Sequence, residues 1–337
     1  MITNSAPSRQ ILAEARHLTS PVYRAAASGL PEPLLRMVGY HAGWWDAQGA
    51  PVAMEGKAVR PALTLACARS VCAGVAADSV LADSVLVAAV AVEMVHDFSL
   101  LHDDVIDGDD TRRHRATVWK VFGADQAILA GDVLLALAAR QVSGASARVL
   151  ADAVVELCVG QSADVAFADR DVVTVADCLA MAVGKTGALL GAACQLGALA
   201  AGADSGTALL YRTFGRETGL AFQLIDDLLG IWGDPAVTGK PAGADLASRK
   251  RSLPVVAALT SGTPAGSELA ALYGAAGALD VSRAACLVEA AGGRDWAQTE
   301  AAQRTQNALH ALTAARPLPS GAADLQVLTD LITRRDY

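Results

Sequence analysis

Leu100-Leu101-His102-Asp103-Asp104-Val105-Ile106-Asp107 closes a long, mostly apolar run that begins near Ser79. Residues four apart share a helical face, so Asp103 and Asp107 project together with Asp104 beside them. A counterpart follows about a third of the chain later, Gln223-Leu224-Ile225-Asp226-Asp227-Leu228-Leu229-Gly230, continuing to Asp234. Asp234 lies two turns beyond Asp227 if that helix continues. Carboxylates gathered this closely raise one another's pKa, and something cationic should hold them together. Oxygen-only ligands select hard ions, and Mg²⁺ binds through a few carboxylates together with water and substrate phosphates. A single acidic helix end reads as well as a solvated terminus. Two of them, each closing an apolar helix, favour a metal site.

The sequence around these clusters is helical in character. Its 337 residues are 53% hydrophobic and only 4% aromatic, rich in Ala, Leu and Val. Helix formers dominate and no long alternating stretch occurs, so the chain reads as all-α. Residues 1–8 read as disordered and 9–337 as one helical domain, with no boundary that splits it. Helices are expected over about 9–28, on to about 45, 61–72, 79–107, 131–142, 148–166, from Thr174 through Lys185, and 207–231. Shorter helices are expected beyond Leu253, broken at 261–266, 292–293 and 316–321.

Charge and cysteine usage narrow the class. A net charge of -8 argues against a nucleic-acid binder, which carries a basic face. Cys67, Cys72, Cys158, Cys178, Cys194 and Cys286 show no CxxC spacing and fall mostly within apolar helical pattern, where Cys behaves as a small hydrophobe. A reduced, cytoplasmic setting fits. Met1–Gln10 lacks the charged-then-apolar layout of a signal peptide. Thr186–Ala203, nearly all Ala, Gly and Leu, has the length of a membrane span. Gln195 interrupts it and Lys185 precedes it, so it reads as a central helix buried all round rather than a span.

Cations stand near both acidic clusters. Lys57 and Arg60 flank the start of the helix carrying Pro61, where free backbone N–H groups add to a phosphate site. Arg112, Arg113 and Arg115 follow the first cluster directly, in a segment that reads as a polar loop. They compensate its charge or, more sharply, grip a diphosphate whose metal ions the aspartates hold. His96 lies two turns before Asp103, as a core histidine or a functional one. Lys185 sits in a strongly apolar helix, costly unless it faces a polar cavity. The Gly- and Pro-rich segment 233–245 carries Lys240 and reads as a lid over an anionic ligand. It lacks the Gly-x4-Gly-Lys-Ser/Thr pattern, so nucleotide hydrolysis is not indicated. The tail beyond Leu253 shows no chemistry.

Taken in order, these motifs resemble the trans-isoprenyl diphosphate synthases, or polyprenyl synthetases, and most closely the bacterial geranylgeranyl diphosphate synthases. Asp103-Asp104-Val105-Ile106-Asp107 matches the family's DDxxD, followed by its arginine pair at Arg112-Arg113. Gly56-Lys57-Ala58-Val59-Arg60-Pro61 resembles GKxxRP, and His96 falls where the family has His or Gln. Lys185-Thr186 resembles its KT pair, and Phe222-Gln223-Leu224-Ile225-Asp226-Asp227 its FQxxDD, with Lys240 and Lys250 after it. The resemblance covers about 56–259. It implies packed antiparallel helices around a deep central cavity, the isoprenoid synthase fold, usually as a homodimer.

The implied reaction is Mg²⁺-dependent head-to-tail condensation of isopentenyl diphosphate with an allylic prenyl diphosphate. The resemblance places three Mg²⁺ ions between Asp103, Asp104 and Asp107 on one side and Asp226 and Asp227 on the other. Arg112, Lys185 and Lys240 become further diphosphate contacts, with Thr186, Gln223 and Lys250 in the same substrate-binding motifs. Lys57, Arg60, His96 and Arg113 fall to isopentenyl diphosphate. Phe98 and Ser99, just before the first motif, are where bulk stops chain growth in the family, and this pair resembles members that stop near C20. The chain departs from the pattern at Gly230, where many relatives have a third Asp, and at Glu55, Ala58, His114 and Ala116. Two rivals are a class I terpene cyclase and a non-catalytic subunit of a heteromeric synthase. Lys57, Arg60 and the second DD pair argue against the first, and the presence of both aspartate motifs against the second.

Overall fold

The computed structural model describes residues 6–52, 56–73, 80–170, 172–235 and 241–333. The chain opens with α1 (Ala6–Ala27) and α2 (Glu32–His41) and continues into α3 (Val59–Val71) and α4 (Val80–Asp107). A small hairpin of β1 (Thr111–Arg112) and β2 (Arg115–Ala116) follows. Next come α5 (Val118–Phe122), α6 (Ala124–Gln141) and α7 (Gly144–Ala166). α8 (Val175–Ala182) runs through a π-helical turn (Val183–Gly187) into α9 (Ala188–Ala200), and α10 (Ser205–Trp232) follows. The remainder is α11 (Ala244–Ala247), α12 (Leu253–Leu259), α13 (Pro264–Gly274), α14 (Val281–Ala290), α15 (Gly293–Ala314) and α16 (Pro319–Thr333).

Local chemistry sets several of these boundaries. Thr174 and Asp177 form a reciprocal capping box at the start of α8. Asp204 caps α10 by accepting the N–H groups of Gly206 and Thr207. Inside, α4 packs against α3, α6 and α9, and α9 against α3, α7 and α10. Every residue of α9 from Ala188 to Ala198 is buried. Its glycines make this possible: a β-carbon at Gly197 would strike the Thr64 backbone of α3, and one at Gly215 of α10 would strike Leu190. The composition of Thr186–Ala203 is thus that of a helix packed backbone to backbone. Both α4 and the rod through α8 and α9 are long and apolar enough to cross a membrane, yet both are mostly buried inside the protein.

The all-α reading holds, with local corrections. α1 begins at Ala6, so residues 6–8 are helical rather than disordered, and Ser8 is buried; residues 1–5 lie outside the described residues. α2 stops at His41, and Trp45 folds back so that its indole N–H donates to the Arg36 carbonyl at 2.8 Å. Gly131 does not start a helix. It lies within α6, where the His102 ring fills the space a β-carbon would need. α10 ends at Trp232, so Asp234 is not on it. An extra break at 275–280 separates α13 from α14.

The arginine-rich segment after Asp107, expected as a loop, is the β1–β2 hairpin. Arg112 pairs with Arg115, leaving Arg113 and His114 as a two-residue connection with φ of 51° and 60°. Such a connection is usually Asn-Gly, because both residues need positive φ. A side chain there costs about 1 kcal/mol. His114→Gly is therefore expected to stabilise the chain by about 0.5–1 kcal/mol, read as a rise in Tm of about 1–3 °C. An unchanged or lower Tm would contradict a strained connection.

Candidate active site

The first acidic cluster divides by burial. Asp103 is half-buried and Asp107 exposed, whereas Asp104 is only 2% exposed. The Oδ1 atom of Asp104 accepts from Arg112 twice, Nε at 2.7 Å and Nη2 at 2.6 Å. This fork of two donors on one oxygen fixes Arg112 against α4. Oδ2 of Asp104 is buried and meets no protein donor. Burial pushes Asp103 up to about 6 against the pull of Lys185, with Asp107 raising it further. Burial raises Asp107 too, opposed by Lys185 and Lys250.

The second cluster divides the same way. Asp226 is exposed, and Asp227 is buried in a chain of polar contacts. Thr186 Oγ1 donates to Gln223 Oε1 at 2.8 Å, and Gln223 Nε2 donates to Asp227 Oδ1 at 2.9 Å. The Leu253 N–H donates to Asp227 Oδ2 at 3.0 Å, tying α10 to the start of α12. Lys250 Nζ lies 3.7 Å from both Asp227 and Asp245. Burial pushes Asp227 up to about 6, with Lys250 and the Leu253 N–H pulling the other way. Burial works against the Lys250 ammonium, but Asp227 and Asp245 hold its pKa well above the usual lysine value. At Gly230 a β-carbon would collide with the Asp245 carboxylate. Asp245, arriving from α11, thus fills the space of the side chain that many relatives carry there. Lys240 lies outside the described residues.

Lys185 occupies the π-helical turn between α8 and α9. Such turns are rare and concentrate at functional sites. Its Nζ donates to Asp164 Oδ2 of α7 at 2.6 Å. The close approach depends on two glycines, since a β-carbon at Gly160 would strike the Lys185 N and one at Gly184 the Glu156 carbonyl. Gly160→Ala is expected to cost about 1–3 kcal/mol through overpacking and to displace Lys185. Thermal unfolding measures the first effect, and a wild-type Tm would contradict the packing described. Asp164 escaped the sequence reading; its helix also carries Asp152 and Glu156, so one more acid there gave no distinct signal.

A third group gathers where α1, α3, α4 and the hairpin meet. Lys57 is exposed just before α3, and Arg60 in its first turn has a buried Nε with no protein acceptor. Burial lowers the pKa of Arg60 and holds His96 well below its usual value, so His96 is neutral. Asp97 accepts from Tyr23 Oη at 2.9 Å and lies 3.3 Å from His41 Nε2. Burial would raise Asp97, but the His41 hydrogen bond and nearby positive charge hold it well below the usual carboxylate range. Glu93, one turn earlier, is pushed up to about 7 by burial and by Asp97, and its Oε2 meets no protein donor. Sequence reading singled out His96 and missed this Glu93/Asp97 pair, although two acids four apart in an apolar run were a usable signal.

The three arginines of the hairpin go to different partners. Arg112 holds Asp104, and Arg115 donates to the carbonyls of Tyr40 at 3.1 Å and Trp45 at 3.0 Å, anchoring the hairpin. Arg113 points the other way, towards Gly56, whose β-carbon would sit 3.1 Å from its guanidinium. On α4 above the first cluster, Phe98 is buried with its ring 4.7 Å from that of His102, edge to face. Ser99 Oγ donates to the His96 carbonyl at 2.8 Å.

The structure thus brings both acidic clusters and their cations into one electrostatic unit. Asp103 and Asp107 both feel Lys185 and Asp164; Asp107 also feels Lys250, which in turn feels Asp226. The donors fit Mg²⁺, being oxygen only and short of positive charge. Among the described residues no three potential ligands converge closely enough to hold an ion unaided. An ion here would need phosphate oxygens and water to complete its shell.

Residues 48–290 match the polyprenyl synthetase family model. The chain is 48% identical to a geranylgeranyl diphosphate synthase of Mycobacterium tuberculosis, over 97% of this chain and 94% of that protein. It is 42% identical to a (2E,6E)-farnesyl diphosphate synthase of the same species, over 96% and 92%. Among solved structures it resembles a polyprenyl synthetase from Streptomyces coelicolor A3(2), with TM-score 0.87 and 43% identity over 96% of this chain and 99% of that one. It also resembles a geranylgeranyl pyrophosphate synthase from Corynebacterium glutamicum complexed with isoprenyl diphosphate and magnesium, with TM-score 0.80 and 26% identity over 97% and 99%. With the helical fold, the two aspartate clusters and these likenesses in agreement, the chain belongs to the polyprenyl synthetase family and is a prenyltransferase, a trans-prenyl diphosphate synthase.

Proposed function

We propose that this synthase joins isopentenyl diphosphate head-to-tail to an allylic prenyl diphosphate and releases geranylgeranyl diphosphate (C20). The observation that carries the reading is that each acidic cluster has its cation beside it, Arg112 2.6 Å from Asp104 and Lys250 3.7 Å from Asp227, with Lys185 held on Asp164 at 2.6 Å. Asp103, Asp107 and Asp226, the solvent-reaching members of the clusters, would hold three Mg²⁺ ions. Asp104 and Asp227, the buried members of each pair, support the site from behind by fixing Arg112 and the Gln223–Thr186 chain. Bound Mg²⁺ supplies Lewis-acid neutralisation of the allylic diphosphate. Lys185, Arg112, Lys240 and Lys250 stabilise charge as it develops on the departing oxygen. The apolar flank of α4 excludes water from the allylic cation. Lys57, Arg60, His96 and Arg113 hold isopentenyl diphosphate so that its double bond meets that cation. The departing diphosphate takes the proton, so no side-chain base is required.

Phe98 and Ser99 support the C20 product, as the wall one turn above Asp103. Ile128 and Leu129 on α6 and Val155 and Val159 on α7 are large, apolar and exposed, and they support a homodimer. The unpaired cysteines suit a cytoplasmic setting. Incubation with Mg²⁺, isopentenyl diphosphate and each allylic primer (C5, C10, C15), with products read by mass, tests the reading. A C20 diphosphate is expected. A C15 end product would overturn the length assignment. Hydrocarbon formed without isopentenyl diphosphate would mean a cyclase, and no turnover with any primer a subunit that needs a partner.

A further inference from the structure

We infer that Arg16 of α1 is a positioning residue for the isopentenyl diphosphate subsite, an inference that rests on the substrate assignment above. Arg16 Nε donates to the Gly56 carbonyl at 3.1 Å across forty residues of sequence. That carbonyl belongs to the peptide joining Gly56 to Lys57, so the bond fixes the plane from which Lys57 departs. Gly56 is also where Arg113 arrives, its guanidinium 3.1 Å from the place a β-carbon would occupy. Arg16, Gly56 and Arg113 together line one half-open pocket with Glu93 and Asp97. Two cations assigned to one diphosphate are thus referred to a single backbone point, and α1 holds that point.

The backbone that follows Lys57 is strained where it enters α3. Ala58, which follows Lys57, adopts a left-handed conformation with φ of 55° and gives α3 no side-chain cap. A residue with a β-carbon in that region is strained and persists only where its surroundings hold it. Lysine is a point charge on a flexible stem, so its useful position depends on where its backbone is held. Releasing the Gly56 carbonyl spreads Lys57 and Arg113 over more positions. A loss of about 10-fold in affinity for the diphosphate they share follows from misplacement on the ångström scale. The allylic diphosphate, held by Asp103, Asp107, Asp226 and Lys185, is untouched.

The test is steady-state kinetics of the full chain carrying Arg16→Met, which keeps an unbranched stem and removes the donor. KM for isopentenyl diphosphate is expected to rise about 10-fold. KM for the allylic primer, and kcat at saturation, are expected to stay within 2-fold of wild type, with the melting transition retained. The same split, smaller in size, is expected of Arg16→Lys, so a Met variant that fails to fold leaves the inference testable. A wild-type KM for isopentenyl diphosphate in Arg16→Met, or an equal rise in KM for both substrates, would overturn it. A wild-type chain that does not use isopentenyl diphosphate at all would instead sink the substrate assignment.

Discussion

Asp103→Ala is expected to abolish turnover, by about 10³-fold or more in kcat, while leaving the metal-free chain at least as stable as wild type. The first half follows from position. Asp103 is only half-buried, shares its helical face with Asp107, and feels Lys185 of the π-helical turn. A group that stabilises charge on a departing oxygen is typically worth about 10²–10³-fold when removed, and a carboxylate on which metal binding depends is worth at least as much. The second half follows from electrostatics. Folding raises the Asp103 carboxyl from 3.8 to about 6 by burial, so the folded chain carries an ionised group it disfavours. Removing it returns about 1–3 kcal/mol. The sign is that of a raised carboxylate: the gain is complete above about pH 6 and gone below about pH 4. Asp104→Ala should behave in the opposite sense. It leaves Arg112 without its partner and is expected to lose about 1–3 kcal/mol, discounted from the cost of breaking a fully buried pair because Arg112 is partly exposed. Thermal unfolding at pH 7 and pH 4, beside turnover, separates the two. A destabilised Asp103→Ala or a stabilised Asp104→Ala would contradict the division of the cluster into open and buried members.

Phe98→Ala is expected to lengthen the dominant product beyond that of the wild type, proposed above as C20. Phe98 is buried just above the first cluster, edge to face with His102, in the core that packs α4 against α6. The aromatic ring occupies roughly the space of one five-carbon unit, so its removal lets the growing chain extend before it meets a wall. The cost in stability is about 3–5 kcal/mol if the cavity stays empty, and less when a bound prenyl chain fills it. Product masses measure the outcome. An unchanged C20 distribution would place the floor elsewhere, at Met94 or Val95, both fully buried on the same helix.

Much of this site was legible because its elements are long and periodic. The run to Asp107 and the run to Asp227 had to be helices, and Lys185 in an apolar helix had to find a polar partner, which is Asp164. The division within each aspartate pair was not legible. Neighbouring residues on a helix point about 100° apart, and only the packing around the helix decides which one is covered. Arg112 covers Asp104, and Gln223 with the Leu253 N–H covers Asp227. The hairpin was missed because Arg113-His114 carries none of the Asn-Gly signal of a two-residue turn, and tertiary anchoring by Arg115 overrides the local preference. The π turn at Lys185 was invisible for a related reason: it leaves the apolar periodicity on either side almost intact. Gly230 read as a missing ligand from sequence; in space it is the gap that admits Asp245.

One metal–diphosphate complex is expected between the solvent-reaching carboxylates of the two clusters. Crystals grown with Mn²⁺ and a non-ionisable allylic diphosphate analogue test this by anomalous scattering. Metal peaks are expected within coordination distance of Asp103 and Asp107 on one side and Asp226 on the other, with a phosphate group beside Lys185. Peaks on one cluster alone, or a diphosphate bound away from both, would contradict it.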